Sequence, residues 1–326
     1  MKILEFYGNE YTIGQQIGSH FKDILQAQAS VYEKYLEKEY IAAYITGELD
    51  ILRRDMPGIY DELMGRGEGS GVRPELITLM TSCEVTAKEN GCTTVIVRKE
   101  DGTVLFSHNE DEDDFTKENS AVIVYHYDDI DVYAYTNAWK LPGSADGWNS
   151  RGMVFTSNYL FYDDPDPDRV SRYIAAGAVY RAGSVDEAAD MVRNMKTASP
   201  FSINIFDTNE KKAVNIERDL DTCYITQIEG KYSRSNHFLM REAKSSVSSD
   251  YRLARTRELL MQKEIRALKD ITDILDDTGE DEDHTVHIPG IIETHGRTVI
   301  NLAVDSNDRV VTIRNFLDDT TAQFRL

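Results

Sequence analysis

The residues best suited to chemistry begin at Gly91-Cys92, where a cysteine opens a β-rich run directly after a glycine. A lone cysteine is most often a buried structural residue, and that is the expectation for Cys83 and Cys223. Cys92 admits a second reading. A thiol attacks an amide well only when a base holds its proton, and a free α-amino group on the same residue can serve. The ordinary pKa of that amine, roughly 7.7–8.0, leaves a usable free-base fraction near neutrality. An internal cysteine gains such an amine only if the Gly91–Cys92 bond is cut. Glycine tolerates the close approach that an acyl shift would need. From the residues alone, a buried thiol and a latent nucleophile both stay open.

The run Ser107-His-Asn-Glu-Asp111 ends the second strand of a hairpin that starts at Cys92. The end of strand two returns beside the start of strand one, which brings Asp111 toward Cys92. Taken as pattern, however, Glu110 to Asp114 read as the acidic side of a solvated loop. Asn158 and Asn236 also close β-rich runs. Their amide NH₂ groups suit a developing oxyanion, although asparagine at a strand end is more often a turn residue. His108 and His237 suggest a Cys–His pair, which an α-amine base would make unnecessary. His284-x-x-His287, with His295 beyond, holds zinc-type residues but lacks helical H-E-x-x-H spacing, so a loop is expected and no metal is assigned. Trp148, Phe155, Tyr159, Phe161 and Tyr162 form a candidate aromatic wall for an acyl group.

Composition narrows the partners. The 57 acidic residues against 36 basic give a formal charge of -21, which argues against nucleic acid and against an anionic membrane surface. No signal-peptide pattern and no apolar run of bilayer length are evident. Three cysteines without close spacing argue against a disulfide framework, and a reducing cytoplasm is the expected compartment. No cofactor motif of the glycine-rich dinucleotide or phosphate-loop type is present. The expected partner is a small-molecule N-acyl amide. A homo-oligomer is neither required nor excluded.

The elements that must position these residues read as α+β. Tyr11 to Tyr44 and Pro74 toward Lys88 carry helical spacing, so the first ninety residues read as helices. Thr93–Arg98 and Thr103–Ser107 flank Lys99-Glu-Asp-Gly102 as a hairpin. Ala121–His126 with Asp131–Asn137, then Met153–Leu160, continue the strands. A helical block from Asp168 to Met195 breaks at Gly183-Ser184, where Ser184 is placed to cap the second helix. Strands return at Ser202–Asp207, Ala213–Glu217 and Cys223–Gln227. Tyr251–Met261 and Glu264–Leu275 are helical, and Thr298–Val304 with Arg309–Asn315 closes the chain as a hairpin. Strands in antiparallel pairs and helices in separate pairs make a layered α+β domain, not a βαβ series.

Asn90-Gly-Cys-Thr-Thr, a hairpin and Asn109-Glu-Asp111 together resemble the autoproteolytic N-terminal-nucleophile (Ntn) hydrolases of the isopenicillin-N acyltransferase type, relatives of the choloylglycine hydrolases. Gly8-Asn-Glu-Tyr-Thr-Ile-Gly-Gln-Gln-Ile-Gly18 is similar to that branch's glycine-marked N-terminal segment. Gly147-Trp-Asn-Ser-Arg-Gly-Met with Asn158, Ser235-Asn-His-Phe-Leu239, Ser249-Asp-Tyr-Arg-Leu-Ala-Arg255 and Asp283-His284 resemble its later motifs in order. The resemblance implies a four-layer αββα sandwich, with residues 1–91 as an N-terminal helical segment that becomes a small subunit and 92–326 as the core. It implies Cys92 as nucleophile toward its own Gly91 carbonyl and then a substrate amide. Asp111 would hold the freed amine, Asn158 and Asn236 would line the oxyanion region, and Arg252 would give electrostatic support. Tyr159 and His108 would face substrate. His108 stands where the bile-acid branch commonly has arginine, and the acyltransferase branch's late cysteines have no counterpart here. Hydrolysis of a linear amide is therefore the expected reaction; acyl transfer to an amine and an uncleaved binding protein are the alternatives.

Overall fold

The computed structural model describes residues 1–82, 84, 91–113, 115–144, 146–162, 164–279, 281, 283–290 and 296–326. Cys83, Glu89, Asn90 and His295 lie outside them. Two sheets form the centre. One runs, edge to edge, through β1 (Ile3–Tyr7), β4 (Ser120–His126), β5 (Asp131–Asn137), β6 (Asp146–Asn149), β7 (Met153–Tyr159), β8 (Phe201–Asp207), β9 (Lys212–Arg218) and β10 (Cys223–Gln227). The other runs through β11 (Lys231–Arg234), β2 (Cys92–Arg98), β3 (Val104–Glu112), β12 (Arg297–Asp305), β13 (Val310–Asn315) and β14 (Thr320–Arg325).

Strand alternation sorts the side chains between layers. Ile96, Phe106, Leu302 and Ile313 of the second sheet meet Val122, Tyr135, Trp148, Val154 and Phe206 of the first in a buried core between the sheets. Val95, Val97 and Leu105 point the other way, onto Leu259, Leu260, Ile271 and Ile274 of α8 (Val247–Gln262) and α9 (Leu268–Leu275). The outer face of the larger sheet is covered by α1 (Glu10–His20), α2 (Lys22–Leu36), α3 (Glu39–Asp55), α4 (Pro57–Ser70), α5 (Pro74–Thr81), α6 (Arg172–Ala175) and α7 (Val185–Asn194). The layers are thus helix, sheet, sheet, helix, as expected.

The N-terminal glycines have a packing role. A Cβ at Gly14 would fall 2.2 Å from the Glu62 carbonyl oxygen, and one at Gly65 would fall 2.1 Å from that of Tyr11. Gly18 and Gly69 repeat the relation one turn on. Two i, i+4 glycine pairs therefore let α1 and α4 cross backbone to backbone. Beneath them Arg66, fully buried, pairs with Glu62 at 2.7 Å and donates to the Lys140 carbonyl at 2.9 Å, fixing α4 to the sheet.

The structure corrects several expectations. The first ninety residues are not all helical: β1 pairs in parallel with β4, so the segment supplies an edge strand to the larger sheet. The strands β6 and β14 were likewise not expected, and β11 is the run that Asn236 closes. Most consequentially, Glu110 to Glu112 are not a solvated loop. They extend β3, which is hydrogen-bonded to β2 on one side and β12 on the other, and all three are buried.

Candidate active site

Cys92 is the first residue of β2 and is buried at the base of the two-sheet core. Its register partner on β3 is Glu110. Sγ donates to Glu110 Oε2 at 3.3 Å. The peptide on each side of Cys92 is held by polar groups from distant parts of the chain. The Gly91 carbonyl accepts from the Asp111 backbone N–H at 2.8 Å. The Cys92 N–H donates to Asn236 Oδ1 at 2.9 Å. The Cys92 carbonyl accepts from Asn158 Nδ2 at 3.2 Å and from Arg252 Nη1 at 2.6 Å. Arg252 Nη2 also reaches Asn236 Oδ1 at 2.7 Å, and so fixes which way that amide faces. A Cβ at Gly91 would crowd the site, falling 2.8 Å from Asp111 Oδ2 and 3.0 Å from Arg252 Nη2.

The orientation of Asn158 is set from further away. Arg234, buried and paired with Glu217 at 2.5 Å, can only donate, and it donates to Asn215 Oδ1 at 3.3 Å. Asn215 Nδ2 then donates to Asn204 Oδ1 at 2.8 Å, and Asn204 Nδ2 to Asn158 Oδ1 at 2.9 Å. Asn158 is left with its NH₂ toward the Cys92 carbonyl. The Thr94 hydroxyl lies 3.0 Å from Asn158 Oδ1 and 2.7 Å from His108 Nδ1, so its one proton goes to one or the other with the tautomer of the ring.

The Nε2 side of the ring faces acids. His108 Nε2 lies 3.0 Å from Glu110 Oε2 and 3.5 Å from Asp146 Oδ1. Burial lowers the His108 pKa, outweighing the pull of Asp146, which favours the neutral ring. Burial likewise pushes Asp146 up to about 8. Glu110 is pushed up to about 8 by burial, against the thiol hydrogen bond and the Lys140 and Arg172 cations. Asp111 is pushed up to about 7 by burial, against Arg252 and a 2.7 Å bond from Thr298 to its Oδ1. Its Oδ2 accepts no hydrogen bond and lies on the Gly91 side. Burial and the Glu110, Asp111 and Glu112 carboxylates raise the Cys92 thiol well above the usual range, so a proton acceptor is needed.

Asp111, Asn158, Asn236 and Arg252 thus meet at Cys92, on the peptide bonds to either side of it. His108 does not line an open surface. It is fully buried, locked between Thr94 and Glu110. Asn236 turns its NH₂ to the Tyr159 carbonyl at 3.2 Å, so in this arrangement it accepts from Cys92 rather than donating toward Gly91. Tyr159 packs with Phe161 and Tyr162, while Trp148 stacks on Tyr133 and Phe155 on Tyr180 across the other layers. The five aromatics are therefore not one wall. Phe161 and Tyr162 instead border a cavity of about 590 Å³ with Leu220 and Arg241. His237 bonds Ser249, and His284 pairs with Asp281, so neither joins the site. Cys223, expected to be buried, is partly exposed on β10.

Three site residues escaped sequence reasoning. Glu110 was hidden in the acidic run, although its spacing of two from His108 on a strand placed both on one face. Asp146 lies in the unrecognised β6. Arg172, buried on α6, has Nε and Nη1 without hydrogen-bond partners. No pattern in the sequence marks it.

A family model described as acyl-coenzyme A:6-aminopenicillanic acid acyl-transferase matches residues 97–315. No curated protein sequence matches the chain. Among solved structures, penicillin V acylase from Agrobacterium tumefaciens superposes with a TM-score of 0.48 at 11% identity, over 72% of this chain and 86% of that one. An N-acylethanolamine-hydrolyzing acid amidase ortholog from Caenorhabditis elegans gives 0.47 at 13%, over 72% and 100%. A variant of conjugated bile acid hydrolase from Clostridium perfringens gives 0.48 at 12%, over 72% and 92%.

Proposed function

The chain belongs to the acyl-coenzyme A:6-aminopenicillanic acid acyl-transferase family of Ntn hydrolases, related to the choloylglycine hydrolases, and on that premise we propose that it is a self-processing cysteine amidohydrolase of linear amides. The observation that carries this is the convergence of polar groups on the two peptides that flank Cys92, with the Asp111 N–H and Asn236 Oδ1 on the Gly91–Cys92 bond itself. Processing begins when Sγ attacks the Gly91 carbonyl carbon and Glu110 Oε2, already on the thiol, takes its proton. The Asp111 N–H, bonded to the Gly91 oxygen, stabilises the oxyanion. The C–N bond then breaks, the proton passes to the Cys92 nitrogen, and residue 91 is left as a thioester. Water hydrolyses that ester, giving a Gly91 carboxylate and a free thiol.

The new α-amine keeps Asn236 Oδ1 as acceptor, and the unpartnered Asp111 Oδ2 supplies a second. In turnover the amine takes the Cys92 thiol proton and returns it to the leaving nitrogen of the substrate. Asn158 Nδ2 and Arg252 orient the Cys92 carbonyl and hold the nucleophile's backbone fixed. The acyl chain lies toward Tyr159 and the cavity beside Phe161 and Tyr162. The family description supports a second acceptor, an amine in place of water. Product analysis with and without added amines separates the two.

Intact-mass measurement tests the reading. Wild-type protein should resolve into two fragments split at Gly91–Cys92, and Cys92→Ala should stay at 37.1 kDa without amidase activity. Normal cleavage in Cys92→Ala, or amidase activity from an uncleaved wild-type chain, would overturn it.

A further inference from the structure

We propose that Cys92 Sγ, His108 Nε2, Glu110 Oε2 and Asp146 Oδ1 form a zinc site that caps the nucleophile. Ligand-capable atoms of the first three lie within 4.8 Å of one another. The measured edges are 3.3 Å from sulfur to Glu110, 3.0 Å from Glu110 to His108 and 3.5 Å from His108 to Asp146. Zinc bonds of roughly 2.0–2.3 Å to nitrogen, oxygen and sulfur give tetrahedral edges of about 3.2–3.7 Å. The Cys92, His108 and Glu110 atoms are thus close enough to share one ion, while Asp146, 3.5 Å from His108, lies outside that group and joins as the fourth ligand only by turning its carboxylate toward it.

A second observation is independent of those distances. Asp146 is 1% exposed, and neither carboxylate oxygen accepts a hydrogen bond. A buried carboxylate without donors is costly unless a cation faces it. The nearby cations do not face it: Lys140 pairs with Glu112 at 2.8 Å, and Arg252 is spent on Cys92, Thr93 and Asn236. His108 Nε2 faces both acids, and the tautomer with its proton on Nδ1, donated to the Thr94 hydroxyl, frees Nε2 to ligate. Thr94 holds the far ring nitrogen as an outer partner of a metal-bound histidine commonly does. A thiolate, an imidazole and two carboxylates suit zinc better than magnesium or calcium, which prefer all-oxygen sites.

Binding replaces the thiol proton with the ion: an S–Zn bond forms, and the proton leaves to solvent. Zinc then holds the nucleophile in an unreactive form. This regulation of the site rests on Cys92 being the nucleophile, whereas the metal binding itself does not.

The test uses the full chain. Zinc is titrated against a chromophoric chelator, and cobalt is substituted for it. One equivalent should bind, and the cobalt form should show thiolate-to-metal charge-transfer absorption that Cys92→Ser lacks. Zinc should slow iodoacetamide labelling of Cys92 by roughly tenfold or more, since the free thiolate is the reacting species, and a chelator should restore it. Thr94→Val should weaken zinc by roughly 10–100-fold, and Asp146→Asn by at least as much. Wild-type protein that binds no more zinc than Cys92→Ser, or that binds cobalt without the charge-transfer band, overturns the site even if every variant misfolds. Intact mass on the same samples keeps the two proposals apart. Cleavage without zinc binding removes the metal site alone, and zinc binding without cleavage removes the processing reading alone.

Discussion

Cys92 and Glu110 face each other across β2 and β3, with the thiol 3.3 Å from the carboxylate. This pairing addresses a problem that the free-amine mechanism leaves open. Before the Gly91–Cys92 bond is cut, the Cys92 nitrogen is an amide and cannot take a proton from the thiol. Glu110 is positioned to do so at that stage. The Glu110→Gln variant keeps the shape of the side chain and removes the base. Its self-cleavage should slow by roughly 10²–10⁴-fold, the usual contribution of a positioned base. A time course of intact mass after translation measures this, and an unchanged rate would exclude Glu110 from the step.

Asn204 touches neither Cys92 nor Gly91, yet it sets the orientation of Asn158 through a 2.9 Å bond. In Asn204→Ala, Asn158 Oδ1 loses one donor and Asn215 Nδ2 loses one of its acceptors while keeping Ser202 Oγ. Each buried hydrogen bond lost costs about 0.5–1.5 kcal/mol, so the melting temperature should fall. Because Asn158 can then flip, turnover by the cleaved enzyme should fall while KM changes little. A loss of stability with kcat unchanged would show that the wire is structural only.

Much of this was legible in the sequence because the signals were local. The hairpin from Cys92 was marked by β-branched runs around Gly102, whose φ of +83° suits the turn, and the helix at Val185 by its Ser184 cap, which accepts from the Glu187 N–H. The paired strands and helices marked a layered α+β domain, and the helix–sheet–sheet–helix order followed from the family resemblance. What could not be read depends on neighbours distant in sequence. Glu110 to Glu112 look solvated until β12, almost two hundred residues later, closes over β3. Asp146 and Arg172 acquire meaning only once β6 and α6 lie beside the thiol. The direction of the Asn158 amide is settled by Arg234, which no spacing rule connects to it.

Gly91 separates a requirement for chemistry from one for packing. A Gly91→Ala variant introduces a Cβ 2.8 Å from Asp111 Oδ2 and 3.0 Å from Arg252 Nη2. Overpacking of this kind costs about 1–3 kcal/mol, and here it falls on the two residues flanking the bond to be cut. Cleavage should be slowed strongly with the fold retained. Cleavage at the wild-type rate would show that the junction relaxes before reaction and that its geometry here is not the reactive one.

The α1–α4 crossing predicts a stability effect remote from the chemistry. A Gly65→Ala methyl would lie 2.1 Å from the Tyr11 carbonyl oxygen, a backbone atom that cannot rotate away. The helices must separate, which disturbs the buried Arg66–Glu62 pair beneath them. The loss should reach about 1–3 kcal/mol or more, read as a lower denaturant midpoint. Gly47, whose Cβ would meet nothing within 4 Å, is the internal control: Gly47→Ala on α3 should stabilise by about 0.5–1 kcal/mol.

Glu48 on α3 gives stability a pH dependence of known sign. It is buried, accepts from the Ser82 hydroxyl at 2.6 Å and the Ser171 N–H at 2.6 Å, and has Glu84 and Tyr44 as charged or titratable neighbours. Burial pushes its pKa up to about 8, with Glu84 adding to the rise and the two hydrogen bonds opposing it. Between the ordinary carboxylate value and 8 the folded chain therefore holds a proton that the unfolded chain has lost. Stability must fall as pH rises through that window and level off above it. Glu110, Asp111 and Asp146 tilt the curve the same way. The share from Glu48 is therefore the difference between wild type and Glu48→Gln, whose carbonyl can keep the Ser171 N–H while its NH₂ turns to Ser82. That difference should move in favour of the variant from pH 5 to pH 8 in denaturant titrations. A difference constant across that range would mean that Glu48 is already ionised in the folded chain at pH 5.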